Sequence, residues 1–86
     1  MEETSMVTHI IRRLRPRSAL LTAIIPGQPP IACVTLRGRA AAAPLIVDIV
    51  VADRVLGSAT LAPDEWLAEI PLSGWRGEWP RAVIRR

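Results

Sequence analysis

Lysine, asparagine, tyrosine and phenylalanine are missing from this 86-residue chain, and all eleven of its basic side chains are arginine. The missing types are those with AT-rich codons, so the bias reads as base composition rather than as selection for guanidinium chemistry. A single cysteine, Cys33, excludes an intrachain disulfide framework, and a single histidine, His9, leaves no spacing that proposes a metal site. Cys33 as a nucleophile would need a base, and His9 is the one imidazole on offer, so Cys33 reads better as a small buried hydrophobe. The five glycines at 27, 38, 57, 74 and 77 are scattered, which excludes a phosphate-cradling loop. Glycosidase chemistry needs two facing carboxylates. Asp64 and Glu65 read as a solvated turn, and no spacing pairs either with Glu69 or Glu78. Asp48 interrupts a very apolar run, and an outward position in a strand accounts for it. The chain reads as no enzyme and as requiring no cofactor.

Long hydrophobic runs are also lacking. No stretch reaches the ~18 apolar residues of a membrane-spanning helix. The run Ser18–Ile25 follows a basic stretch but stops at Pro26-Gly27-Gln28-Pro29-Pro30, short of a persuasive secretory segment, so a cytoplasmic location is expected. Half of the residues are nevertheless hydrophobic, too many for a disordered chain. A chain of this length makes one small domain and buries only roughly 60–65% of its unfolded surface, which leaves a thin margin of stability without a partner.

Charge is unevenly placed. Residues 1–39 carry six arginines against Glu2 and Glu3, whereas residues 40–86 carry five against six acids. Arg12, Arg13, Arg15 and Arg17 form the basic patch of an arm, residues 1–17, that is expected to be poorly ordered. Such a cluster can hold phosphate, which admits nucleic acid or an anionic surface, but a solvated arm accounts for it as well. Nucleic acid ranks third among the partners considered.

Beyond the arm the pattern is short strands between breakers. Ala19–Ile25 is apolar and bounded by Pro16 and the Pro26–Pro30 loop. Ile31–Arg37 is rich in β-branched residues and closes at Gly38. Leu45–Ala52 is the strongest strand, with Leu45, Val47, Ile49 and Val51 on the core face and Asp48 on the other. After a reversal at Ala52-Asp53-Arg54, Val55–Leu61 returns, with Val55, Gly57, Ala59 and Leu61 sharing one face and Leu56, Ser58 and Thr60 the other. Trp66–Leu72, Trp75–Trp79 and Arg81–Ile84 complete the set. The predicted fold is all-β, a small or incomplete β-sandwich of five to seven strands over residues 18–86, with no repeat and no helical period.

The residues Ile49-Val50-Val51-Ala52-Asp53-Arg54-Val55-Leu56-Gly57, Asp64-Glu65-Trp66 and Ile70-Pro71-Leu72 place a strand, a short turn, a hydrophobic-Gly pair, an acidic turn, a Trp and a strand ending near proline. That order resembles a stretch of the galactose-binding-like jelly-roll sandwiches, over about residues 47–72. The resemblance departs at the turn, where Ala52-Asp53 stands in place of Asn-Gly, and the chain is short of the usual eight strands. It implies a non-catalytic accessory module, of a kind that often binds carbohydrate or packs beside an enzyme. An incomplete sandwich leaves a sheet edge unpaired, which favours dimerisation or docking on another chain.

Trp75 and Trp79 are four apart, hence on one face if the segment is extended. With Arg76 and Glu78 they would form a ligand-binding face that stacks a sugar ring; the alternatives are a core cover or a protein contact. Trp66, which opens a strand, is expected in the core. The sequence therefore points first to carbohydrate binding through the Trp face, and alternatively to a protein partner or homodimer through the exposed sheet edge.

Overall fold

A computed structural model describes residues 17–38 and 42–85. Among the described residues there are six strands in chain order: β1 (Ser18–Ile25), β2 (Ile31–Arg37), β3 (Leu45–Val51), β4 (Arg54–Leu61), β5 (Leu67–Pro71) and β6 (Arg81–Arg85). They form two three-stranded antiparallel sheets, ordered β1-β2-β5 and β4-β3-β6. The expected all-β sandwich is the fold of the protein. The arm residues Arg12, Arg13 and Arg15 lie outside the described residues, as does His9.

Each sheet is centred on its most β-branched strand. In β2 the alternation puts Ala32, Val34 and Leu36 inside, and in β3 it puts Val47 and Ile49 inside, all at 2% exposure or less. Leu21, Leu56, Leu61, Ile70 and Leu72 fill the space between the layers. Gly38 closes β2 in the left-handed region (φ +98°), and a cis Gln28–Pro29 bond lies in the β1–β2 loop. The β3–β4 hairpin turns through Ala52-Asp53, and it is Ala52, at the first turn position, that takes the left-handed backbone (φ +54°).

Two bulges correct the expected facing. In β4 the register slips between the pairs Ile49↔Gly57 and Val50↔Val55, which inserts Leu56 as an extra residue. Leu56 is thereby turned inward at 4% exposure and Val55 outward at 55%, the reverse of a plain alternation. In β1 the slip falls between Leu21 and Ala23, at the middle of the strand. Cys33 is also corrected: it lies on the outer side of β2, half-buried, because its neighbours Ala32 and Val34 take the core side.

The two sheets meet differently along their two sides. Where β4 approaches β5, Gly57 packs directly on Pro71, and a Cβ there would overlap the Pro71 carbonyl oxygen. The Ser73 amide donates to the Leu56 carbonyl at 2.8 Å across the same junction. Where β1 approaches β6 no backbone hydrogen bond joins the sheets among the described residues. β1 and β6 lie as close together as β4 and β5, but only the β4–β5 side has a backbone hydrogen bond beside it.

Candidate functional site

The aromatic residues do not form the expected face. Residues 72–80 are a loop, not a strand, because Gly74 (φ +76°) and Gly77 (φ +99°) turn the backbone through the left-handed region on either side of Arg76. Trp75 is half-buried against the core and its indole N–H donates to the Glu78 carbonyl at 2.6 Å. Trp79 is 64% exposed and stands at the side between β1 and β6.

Of the polar candidates, Arg76 and Glu78 are exposed. The Glu78 carboxylate accepts from the Arg76 amide at 3.1 Å and lies 3.9 Å from Arg54. Backbone hydrogen bonds from its own amide and that of Arg76, with Arg54 and Arg76 nearby, hold its carboxyl below the usual range. Glu78 ties its own loop together, which draws on the acceptors a ligand would need.

Trp66 is likewise corrected. It is 44% exposed, and the guanidinium of Arg17 lies 4.3 Å from its ring centroid. Arg17, expected in the solvated arm, is only 8% exposed and donates to the carbonyls of Pro63 and Glu65 at 3.2 and 3.1 Å. It belongs to the folded unit and not to the arm's basic patch.

That side carries a cleft of about 300 Å³ between β1 and β6, lined by Ala19, Leu20, Leu21, Trp79, Pro80 and the first residues of β6. The two strands present it with very different edges. β6 begins and ends in arginine, Arg81 and Arg85. β1 has eight residues and no charge. The remaining edges also carry protection: β5 is short and holds Glu69 and Pro71, and β4 has Arg54, a bulge and the close packing on β5. Charge, proline, bulges and brevity are what keep sheet edges from pairing with other chains. β1, with only its central bulge, is the least guarded.

The outer face of β1-β2-β5 is largely apolar, with Arg37 and Glu69 its charged residues. Leu20, Thr35 and Leu67 form one cross-strand row and Ile25, Ile31 and Pro71 another, with Ala23, Cys33 and Glu69 between them. Leu20, Ile25 and Leu67 are 45%, 48% and 71% exposed. The outer face of the other sheet is built in the opposite way. There Asp48 takes the outward position expected of it but is only 9% exposed, closed over by its neighbours. It accepts from Ser58 Oγ at 2.6 Å and from Arg85 Nη2 and Nε at 2.8 and 3.1 Å. The hydrogen bonds from Arg85 and then Ser58 lower its pKa against the opposing effect of desolvation.

The run Ser18–Ile25 is conspicuous in the sequence for its lack of charge, but its being a free edge is decided by strand order. The exposure of Leu20, Ile25 and Leu67 has no local signature, since nothing in the sequence says which face of the sheet is covered. No group of three or more metal-ligating side chains occurs among the described residues, and no helix among them is long and apolar enough to cross a membrane. No protein-family model matches the chain, and no curated protein or solved structure matches it. The galactose-binding-like likeness rests on its residues alone.

Proposed function

We propose that this protein is a non-catalytic interaction module that binds another protein chain along the free edge of β1. The observation that carries this reading is the contrast among the four sheet edges: β1 alone is long and uncharged, and it borders an apolar cleft and a largely apolar sheet face. An extended segment laid beside β1 would satisfy its unpaired backbone groups, and its alternate side chains would meet Leu20 and the cleft beside Trp79. The test is a photo-crosslinking amino acid at Leu20, with Thr60 on the other sheet as the control position, in extract of the native cell. Protein adducts from position 20 and none from position 60 are expected. No adduct at position 20, or equal adducts at both, would overturn the reading.

Carbohydrate binding is the second reading, and the exposure of Trp79 at the mouth of the cleft favours it. One indole face is offered, with Arg76 and Arg81 as exposed donors. A titration with a panel of oligosaccharides should then shift tryptophan emission saturably, and Trp79→Ala should abolish the shift while Trp75→Ala alters the fold. An unresponsive spectrum sinks it. Nucleic-acid contact through Arg12, Arg13 and Arg15 is third, and would show as binding that weakens steeply with salt.

A further inference from the structure

We propose that the chain received along β1 is the β1 of a second copy, joining two three-stranded sheets into one six-stranded antiparallel sheet. This rests on the reading of β1 as the binding edge and names its occupant.

The argument is one of register. A two-fold axis perpendicular to the sheet that overlaps all eight residues pairs Ser18 with Ile25, Ala19 with Ile24, Leu20 with Ala23 and Leu21 with Thr22 of the other copy. In a regular strand such a pairing fails, because side chains alternate with a period of two and every outward residue would oppose an inward one. Here the bulge between Leu21 and Ala23 slips the alternation by one residue at the strand's midpoint. Ser18, Leu20, Ala23 and Ile25 share the outer face, since their β2 partners Arg37, Thr35, Cys33 and Ile31 do. Ala19, Leu21 and Ile24 pack on the core. Across the two-fold, the pairs Ser18–Ile25 and Leu20–Ala23 therefore set outer residues together and Ala19–Ile24 sets inner residues together, and only the central Leu21–Thr22 pair sets a core residue beside the exposed bulge residue.

Charge agrees with this. No residue of β1 is ionisable at neutral pH, so no like charges oppose each other in the pairing. β6, next to β1 in the other sheet, begins with Arg81 and ends with Arg85, and the same two-fold brings these toward their copies. The second sheet stays separate and the copies join through the first sheet alone. Pairing makes the largely apolar outer faces continuous, with Leu20 set beside Ala23 of the other copy. An eight-residue strand is only about 27 Å long, which keeps the contact below the ~800 Å² per partner of a standard interface. A contact of this size belongs with weak, reversible association.

The experiment is sedimentation equilibrium of the full chain from low to high micromolar concentration. The apparent mass should rise from 9.4 kDa toward twice that value. The double variant Leu20→Lys/Ala23→Lys sets lysine against lysine twice and should hold the chain monomeric. Leu20→Lys/Ala23→Glu sets lysine against glutamate twice and should restore the dimer. As a measurement on the unmutated chain, a nitroxide on the single cysteine, Cys33, should show dipolar broadening at high concentration. The pairing puts the two Cys33 Cα atoms roughly 16 Å apart, three strand spacings by two residues of rise. A chain that stays monomeric throughout overturns the second copy as occupant, and the crosslinking at Leu20 then decides separately whether β1 is a binding edge. A dimer indifferent to both double variants, or one without broadening at Cys33, overturns the pairing through β1.

Discussion

The guanidinium of Arg17 lies 4.3 Å from the centroid of the Trp66 ring while it donates to the carbonyls of Pro63 and Glu65. One side chain thus ties the entry of β1 to the turn between β4 and β5, forty-odd residues away and in a different part of the sandwich. The cation has no carboxylate partner among the described residues, and its Nε has no hydrogen-bond acceptor. Carbonyl dipoles and the indole face take the place of a counterion.

Removing that tie should be costly. Arg17→Ala loses a stacked cation and two charge-assisted hydrogen bonds, an effect of about 2 kcal/mol. The measurement is the urea midpoint, with Arg12→Ala as a control. Equal midpoints for the two variants would mean that Arg17 is a solvated residue of the arm after all.

Gly57→Ala should destabilise by a different route. A Cβ at this position overlaps the Pro71 carbonyl oxygen and comes 3.0 Å from Ile70 Cγ2, so β4 and β5 must separate. Overpacking against backbone costs about 1–3 kcal/mol, and the Ser73–Leu56 hydrogen bond lies in the path of the movement. Hydrogen exchange at the Ser73 amide should accelerate together with the fall in stability. An unchanged Ser73 amide would contradict the close β4–β5 junction.

At Ala52 the expected sign is reversed. An alanine at φ +54° pays for a conformation that glycine adopts freely. Ala52→Gly should therefore stabilise by about 0.5–1 kcal/mol, the relief of strain exceeding the extra entropy of glycine in the unfolded chain. Elsewhere in an extended strand the same substitution destabilises. A lower urea midpoint for the variant would show that the turn is not left-handed at this residue.

Asp48 gives the fold a dependence on acid. Its folded pKa lies below the ordinary value because Arg85 and Ser58 bond the carboxylate. The stabilisation is fully present above the unfolded pKa, about 3.9, and is lost as pH falls through the folded value. Asp48→Asn keeps the shape and a hydrogen-bond partner for Ser58 but removes the charge that holds Arg85. The stability gap between the wild type and Asp48→Asn should be open at neutral pH and narrow below about pH 4. Denaturation at a series of pH values measures it, and a gap independent of pH would exclude the ion pair as its cause.

The parts of this structure that were legible in the sequence are those with local causes. Ile31–Arg37 is bounded by Pro30 and Gly38, and the strand observed has those ends. Leu45–Val51 and Arg81–Arg85 emerge with boundaries within a residue or so, since β-branched runs between breakers leave little choice. Trp75–Trp79, expected as a strand, is loop because Gly77 as well as Gly74 takes the left-handed backbone that ends a strand. Trp66 was misplaced because the group that covers its ring, Arg17, is forty-nine positions away.

What the sequence determined by itself, then, is the all-β class and the placing of the six strands among breakers after residue 17, because chain stiffness, alternation and breakers act within a few residues. Alternation already put Val47 and Ile49 on the inside of β3, whereas tertiary structure alone decided the facing on either side of the bulges in β1 and β4. The bulges at Thr22 and Leu56 reverse the alternation where partner strands and the opposite sheet require it, and no residue announces the slip. Strand order alone also decided that the uncharged β1 is left at an edge. Pairing satisfies backbone groups across the whole sheet at once, and which edge is left over is a property of that arrangement and not of any segment.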